Sequence, residues 1–269
     1  MIIIRNGLVK TMVGEDIPNG QVEVENGKIT YVGPEREADG EVIDATGCIV
    51  TPGLIDAHCH IGLYEESIGF EGSDGNEMTD PVTPHMRGID AINPRDEAFE
   101  LARKGGVTTA VTGPGSANVV GGTFVAVKTV GECVDDMVIK DPVAMKGAFG
   151  ENPKRVYNAK SQMPSTRMGT AALLREWLRK AKEYNEKLKL EDESKRPAFD
   201  AKLDALAAVI RGEIPLKAHA HRADDIFTSI RIAKEFDVDI TLDHCTEGHL
   251  VADRLAKEGK SAIVGPTFG

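Results

Sequence analysis

The first fifty residues alternate between apolar and polar positions in short runs. Residues 21–25 (QVEVE) and 28–32 (KITYV) both show this two-residue period, and Asn26-Gly27 stands between them. A two-residue hairpin turn of type I′ needs positive φ at both positions, which Asn and Gly accept at low cost. The pattern predicts a hairpin within a small antiparallel β-layer over residues 1–50.

After residue 49, apolar runs alternate with amphipathic stretches, a pattern typical of parallel strands and crossover helices. We expect seven strands, over residues 49–57, 107–112, 124–127, 143–148, 216–219, 238–243 and 262–264. This order predicts an α/β fold, a (β/α) TIM-like barrel over residues 51–269, with its active site where the strands end. A closed barrel of this kind has eight strands, and the chain ends after the seventh, so we expect an incomplete barrel lacking its last strand.

Two segments lack the period of a helix or a strand. Residues 64–93 predict a long loop leaving the first barrel strand, and residues 113–122 (GPGSANVVGG) predict a tight βα loop at the barrel mouth. The second is not a phosphate-binding loop, because Val127 rather than Gly precedes Lys128. Loops positioned by a rigid scaffold often bind substrate, so Asn118 and His85 are candidate substrate contacts.

Composition narrows the class of protein. The chain has 269 residues, 41% hydrophobic and 28% charged, as expected of a globular protein, and its formal net charge is −11 with both signs mixed. A basic surface for nucleic acid or anionic lipid is therefore absent. The four cysteines lack CxxC spacing, and no stretch has the length of a membrane span or the features of a signal peptide. We expect a cytoplasmic protein that acts on a small molecule, without nucleic-acid or membrane partners.

Histidines end three of the predicted strands. His58 and His60 close the run TPGLIDAHCH, and residues i and i+2 of a strand point to the same side, so both imidazoles can reach one ion. His219 and His244 each follow a further apolar run. Because strand ends meet at the mouth of a barrel, the four histidines predict a metal site suited to zinc, iron, nickel or copper.

The run PGLIDAHCH after a small β-layer, together with His219 and His244, resembles the metal-dependent amidohydrolase superfamily, and within it the imidazolonepropionase-like members. The resemblance implies that His58, His60, His219 and His244 bind one or two divalent metals, with zinc first and iron, nickel or manganese as alternatives. It also implies that the β-layer of residues 1–50 is one part of a composite β-sandwich. A further implication is an aspartate, at the end of strand eight, that serves as ligand and general base. The sequence offers no counterpart for that aspartate.

Many binuclear members of this superfamily bridge their metals with a carboxylated lysine at the end of strand four, where this chain has Lys146. Burial near other cations would lower the pKa of this amine, as such chemistry requires. The alternative is an ordinary strand-end lysine that pairs with an acid or binds substrate. Glu151, a few residues on, is a second candidate for an oxygen ligand or a substrate contact.

Other residues near these strand ends receive secondary roles. His221 shares a face with His219 if the strand continues, which makes it a candidate for catalysis or substrate binding, with metal ligation as the alternative. His244 is a candidate for catalysis as well as metal binding. By strand alternation, Asp243 is expected to point away from the side of His244, and Cys59 away from His58 and His60.

A metal-bound water supplies hydroxide near neutral pH, so the sequence predicts a hydrolase of C–N bonds in a cyclic amide, an amidine-like or an acylated amino compound. Two alternatives stay open: a catalytically incompetent fragment with a residual metal half-site, and a carboxypeptidase-like or deaminase-like member. Self-association into a homo-oligomer is also open, because an unfinished barrel leaves strand edges unpaired.

Overall fold

The computed structural model describes residues 1–65 and 68–266. The chain divides into two compact units, Met1–Leu54 and Ile55–Gly269.

The first unit is a five-stranded sheet. Strands β3, β2, β1 and β4 lie in that order, and β5 pairs with β1. Their bounds are Ile2–Val9 (β1), Ile17–Glu25 (β2), Lys28–Pro34 (β3), Glu41–Asp44 (β4) and Ile49–Val50 (β5). Asn26 and Gly27 join β2 to the antiparallel β3 with φ of 51° and 72°. The predicted hairpin is thus confirmed.

The second sheet has seven strands in the described part of the chain, and they follow one another in chain order from β6 to β12. Their bounds are Leu54–Cys59 (β6), Val107–Thr112 (β7), Val120–Lys128 (β8), Val138–Ala148 (β9), Leu216–Ala220 (β10), Ile240–His244 (β11) and Ala262–Val264 (β12). Each overlaps a predicted strand, so the α/β barrel-type architecture is confirmed.

The direction of β8 differs from the prediction. β8 runs antiparallel to both β7 and β9, whereas β9, β10, β11 and β12 are parallel neighbours. A parallel connection needs a crossover of a dozen or more residues, and only residues 113–119 separate β7 from β8. Residues 113–122 therefore turn the chain back on itself, and the expectation of a βα loop there was wrong.

Helices cover the second sheet. The α-helices are Glu97–Lys104 (α1), Val134–Met137 (α2), Glu151–Asn158 (α3), Arg167–Leu188 (α4), Ala201–Ile210 (α5), Ala223–Phe236 (α6) and Ala252–Glu258 (α7), and short 3-10 helices span Gly69–Gly72, Gly88–Ala91, Glu193–Lys195 and Thr246–Val251. Leu174 and Leu178 of α4 are fully buried in one apolar cluster with Leu216 of β10. Burial of each such side chain contributes about 1.5–3 kcal/mol, which fixes α4 against the sheet.

None of the helices in the described ranges is long and apolar enough to cross a membrane. The cytoplasmic location stays a prediction.

Candidate functional site

Five imidazole rings gather where β6, β10 and β11 end. The centroid of the His58 ring lies 5.2 Å from that of His60 and 5.1 Å from that of His244. The His244 ring lies 4.5 Å from His219 and 4.9 Å from His221. The structure therefore brings all four predicted metal ligands, and His221, into one cluster, which we call the histidine cluster.

Main-chain carbonyl groups orient two of these rings. His60 Nδ1 lies 2.7 Å from the carbonyl oxygen of Gly113, and His244 Nδ1 lies 2.6 Å from that of Gly265. A carbonyl oxygen only accepts, so each Nδ1 carries the proton and each Nε2 keeps its lone pair. This is the tautomer in which an imidazole can bind a metal through Nε2.

Side chains rather than main-chain carbonyls contact two further rings, those of His219 and His221. His219 Nδ1 lies 2.8 Å from Ser116 Oγ, and its Nε2 lies 3.1 Å from Asn152 Nδ2. His221 Nδ1 lies 2.7 Å from Thr246 Oγ1. Ser116 and Asn152, which sequence reasoning did not connect with His219, come from the turn before β8 and from the start of α3.

A group of buried charges lies beside the cluster. Lys217 Nζ donates to Asp243 Oδ1 at 2.8 Å and to the carbonyl oxygen of Ala57 at 3.2 Å. Asp243 Oδ2 lies 3.3 Å from His58 Nδ1 and 3.6 Å from Lys146 Nζ. Because Lys146, Lys217 and Asp243 are all buried, the site encloses two amines and one carboxylate.

The position of Asp243 corrects the expectation from strand alternation. Its carboxylate contacts His58, so it lies in the same cluster as His244 instead of on the opposite side. His244 and Cys245 have φ of 68° and 48°, in the left-handed region, so the chain leaves the extended conformation at His244. The alternation therefore does not extend to the end of β11.

Phe124 of β8 forms one wall of the site. The His58 ring stacks on it with centroids 5.5 Å apart, and the Nζ atoms of Lys146 and Lys217 each lie 5.6 Å from its centroid. Gly113 makes room for this wall, because a Cβ there would stand 2.6 Å from the Phe124 ring. The apolar ring raises the cost of charge nearby, since it replaces water around these groups.

Burial holds the imidazoles neutral. It is the largest cause that lowers the pKa of His58, His60, His219 and His244, and it brings that of His219 to about 2. The charge of Lys146 lowers these pKa values further. Burial also lowers the pKa of Lys146 to about 8, against the opposing effect of Asp243. Metal ligands must be deprotonated, so this environment prepares the rings for that role.

Several buried polar atoms here have no hydrogen-bond partner among the described residues: both ring nitrogens of His58, Lys146 Nζ and Asp243 Oδ2. Leaving such atoms unpaired is costly, and a bound cation would satisfy one of the two His58 nitrogens. Over the same described ranges, no group of three His, Cys, Asp or Glu side chains already has the arrangement of a metal site. The chemistry of the donors nevertheless fits a divalent transition metal, because neutral imidazoles are the ligands such ions prefer.

Asn118 and Glu151, both predicted to bind substrate, have other partners. Asn118 is buried, donates to the Glu77 carbonyl and to Thr83 Oγ1, and accepts from the Tyr157 hydroxyl. Glu151 is the first residue of α3, with 56% of its side chain exposed, and it pairs with Arg167. Asn118 therefore anchors residues 77–83, and the Glu151 carboxylate forms part of a surface ion pair.

His85 lies in the long loop, between two bridges, Val82–Val120 and Arg87–Thr123, that tie the loop to β8. Its Nδ1 atom is buried, and its role in substrate binding stays a prediction. Cys59 packs against an apolar cluster that contains Leu63 and Phe99, as expected from strand alternation.

A solved structure, described as an amidohydrolase from Thermotoga maritima MSB8, is similar to nearly the whole chain. The two share 45% identity with a TM-score of 0.93, over 99% of this chain and 70% of that one. The chain belongs to the metal-dependent amidohydrolase superfamily. The resemblance drawn from the PGLIDAHCH run and the strand-end histidines is thereby confirmed.

Two curated relatives agree with this membership. The amidohydrolase tasK of Hapsidospora irregularis is 30% identical over 300 residues, which is 94% of this chain and 30% of the relative. An imidazolonepropionase of Bacillus thuringiensis (strain Al Hakam) is 47% identical over 66 residues, 23% of this chain and 14% of the relative. The chain thus spans less than a third of the length of either relative. No protein-family model matches the chain.

Proposed function

We propose that this amidohydrolase hydrolyses a C–N bond of a small molecule, such as a cyclic amide, an amidine-like or an acylated amino compound, with a divalent metal as cofactor. The observation that carries the proposal is the histidine cluster. Its four neutral imidazoles come from the ends of three strands, and both ring nitrogens of His58 lack a partner among the described residues. Membership of the superfamily supports the same chemistry.

His58, His60, His219 and His244 would hold the metal, which we propose to be zinc, as one or two ions. When bound, such an ion lowers the pKa of a coordinated water to roughly 7 and polarises the bond under attack. The protein contributes fixed ring orientation, because Gly113 and Gly265 hold the Nδ1 protons of His60 and His244. It also contributes exclusion of water by the Phe124 wall.

Lys146 is the proposed bridging ligand. Its lowered pKa, about 8, leaves part of the amine unprotonated near neutral pH. The neutral Nζ can then attack carbon dioxide, forming an N–C bond and releasing one proton, which gives a carbamate. This change replaces a buried positive charge with a negative one, in a site that also holds the charges of Lys217 and Asp243. An ion pair with Asp243 is the alternative fate of Lys146.

His221 is the proposed proton carrier, and His244 is proposed to contribute to catalysis as the metal ligand beside it. The Nδ1 atom of His221 is engaged by Thr246, which leaves Nε2 for a substrate group. Its ring stacks face to face on that of His244, with centroids 4.9 Å apart and an interplanar angle of 22°. His221 would therefore stand next to a metal ligand, where it can take up a proton from the substrate.

Elemental metal analysis of the purified chain, with its native mass from the same sample, tests the proposal. We expect one or two zinc ions per chain, and loss of metal in His219→Ala but not in His249→Ala, whose ring is exposed. Metal-loaded protein is then assayed on hydantoin, allantoin, N-acetyl amino acids and 5′-deoxyadenosine, since the relatives include allantoinases and a 5′-deoxyadenosine deaminase. Absence of both metal and turnover would refute the proposal.

A further inference from the structure

Tyr64 stands at the edge of the histidine cluster. Its ring centroid lies 6.1 Å from that of His60, at an interplanar angle of 81°. The residue follows β6 by five positions and forms an antiparallel bridge with Ser73, so its backbone is tied down. With 39% of its surface exposed, the side chain is accessible to a molecule that enters the site.

Two glycines create the space that Tyr64 occupies. A Cβ at Gly75 would stand 2.0 Å from Cζ of the Tyr64 ring, and a Cβ at Gly115 would stand 2.9 Å from its hydroxyl oxygen. Such distances are below any van der Waals contact, so only glycine at both positions permits this placement. The Gly115 amide donates to the Gly75 carbonyl at 2.7 Å, which joins the two segments beside the ring. We call the space between these two glycines the glycine slot.

Asn76 determines the direction of the Tyr64 hydroxyl proton. Asn76 Oδ1 accepts from the Ala117 amide at 3.0 Å, so the other end of this side chain is its NH2 group. That NH2 group donates to the Tyr64 hydroxyl oxygen. Because the hydroxyl accepts this hydrogen bond, its own proton remains for another acceptor. Burial raises the pKa of Tyr64, so the proton stays on the oxygen at neutral pH.

We propose that the Tyr64 hydroxyl donates a hydrogen bond to an oxygen of the substrate bound at the histidine cluster. Tyr64 is then a substrate-binding residue that selects molecules carrying a carbonyl or carboxylate oxygen beside the bond to be cleaved. The inference rests on the proposed function, because it places the substrate next to His60. Its physical basis is a donor already oriented by Asn76 and the glycine slot, which costs little reorganisation on binding.

Tyr64→Phe tests the inference, because it keeps the ring and removes only the hydroxyl. The probe is acetohydroxamate, titrated by calorimetry into zinc-loaded protein. We expect binding about three- to tenfold weaker than in the wild type, the loss of one hydrogen bond to a neutral donor. Tyr184→Phe, at a buried tyrosine of α4, is the matched control and should bind as the wild type does. Equal binding by Tyr64→Phe, or no binding by the wild type, would overturn the inference.

Kinetics and metal content separate this inference from the proposed function. On any assayed substrate that the wild type hydrolyses, Tyr64→Phe should raise KM by a similar factor at unchanged zinc content. If the wild type holds zinc and turns over substrate while Tyr64→Phe matches it in KM and kcat, the inference fails and the proposed function stands. If the wild type holds no zinc, the proposed function fails first.

Discussion

Lys217 Nζ lies 2.8 Å from Asp243 Oδ1, and this ion pair between the neighbouring strands β10 and β11 is buried. Asp243 Oδ2 also lies 3.6 Å from Lys146 Nζ, so removal of this carboxylate leaves two buried amines without a counter-charge, at a cost of about 3–5 kcal/mol. Asp243→Leu should therefore lower the free energy of unfolding by that amount, as measured by urea denaturation.

A double variant tests whether the unpaired charges cause this loss of stability. Lys217→Met combined with Asp243→Leu removes one of the two amines that Asp243→Leu alone leaves unpaired, so it should recover part of the stability that the single variant loses. A single variant within about 1 kcal/mol of the wild type, a value far below the buried-pair cost, would show that the pair contributes little.

The buried histidines predict a fold that weakens in acid. The pKa of His219 is about 2 in the folded chain, against an ordinary value of 6.5, so the unfolded chain binds the proton more tightly. Stability is then fully present above pH 6.5 and falls as the pH drops from there toward 2. His219 alone should cost about 1.4 kcal/mol of stability between pH 7.5 and 5.5.

Denaturation of chelator-treated protein at these two pH values measures this loss. His58, His60 and His244 have pKa values lowered by the same cause, so the loss should exceed that of one histidine. His219→Asn should reduce this loss of stability between the two pH values by the contribution of one histidine. A variant with the full wild-type loss would show that His219 titrates normally.

Variants at Asn118 can test whether this residue stabilises the fold or binds substrate. The Tyr157 hydroxyl donates to Asn118 Oδ1, and both side chains are buried. Asn118→Ala should cost about 1–3 kcal/mol of stability because the Glu77 carbonyl, the Thr83 hydroxyl and the Tyr157 hydroxyl each lose a hydrogen bond. Tyr157→Phe should be destabilising through the same contact.

Thermal unfolding and KM, measured on both variants, decide between the two roles. If Asn118 binds substrate, Asn118→Ala should raise KM while Tyr157→Phe leaves KM unchanged. If Asn118 anchors the loop, the two variants should resemble each other in both measurements.

Gly150 precedes α3 with φ of 79°, and a Cβ there would stand 2.9 Å from Asp225 Oδ2. Gly150→Ala should therefore be destabilised by about 1–3 kcal/mol, through backbone strain and displacement of a carboxylate that pairs with Arg167. Gly212→Ala is the matched control, since Gly212 has φ of 71° but open space around its Cβ position. Equal losses of stability in a denaturant titration would assign the whole effect to backbone strain.

The sequence predicted where the strands lie better than how they run. Apolar runs marked the seven strands described in the second sheet, and in β8 and β10, which are buried along nearly their whole length, such a run appears whatever the strand direction. The reversal at β8 was missed, although the short connection from Thr112 to Val120 was a signal that could have found it.

The same contrast holds at the site. The prediction that the four histidines lie close together was confirmed, because β6, β10 and β11 finish at the same place. Their role as metal ligands stays a prediction. Lys217 escaped notice since a lysine within an apolar run carries no motif, and its role depends on Asp243 from another strand. The side chain of Asp243 was predicted on the wrong side of its strand. His244, which follows it, has a left-handed backbone conformation, and the two-residue period of a strand does not hold there.

The acceptors that hold His60 and His244 are main-chain carbonyl oxygens, of Gly113 and Gly265. Every amino acid carries that atom, so no single replacement at either position deletes it. A mutation there acts only by moving the backbone. The proton positions on these two rings are thus protected against most point mutations, while the contacts of His219 with Ser116 and Asn152 can each be lost by one codon change. Genetic drift should therefore change the hydrogen-bond partners of His219 before those of His60 or His244.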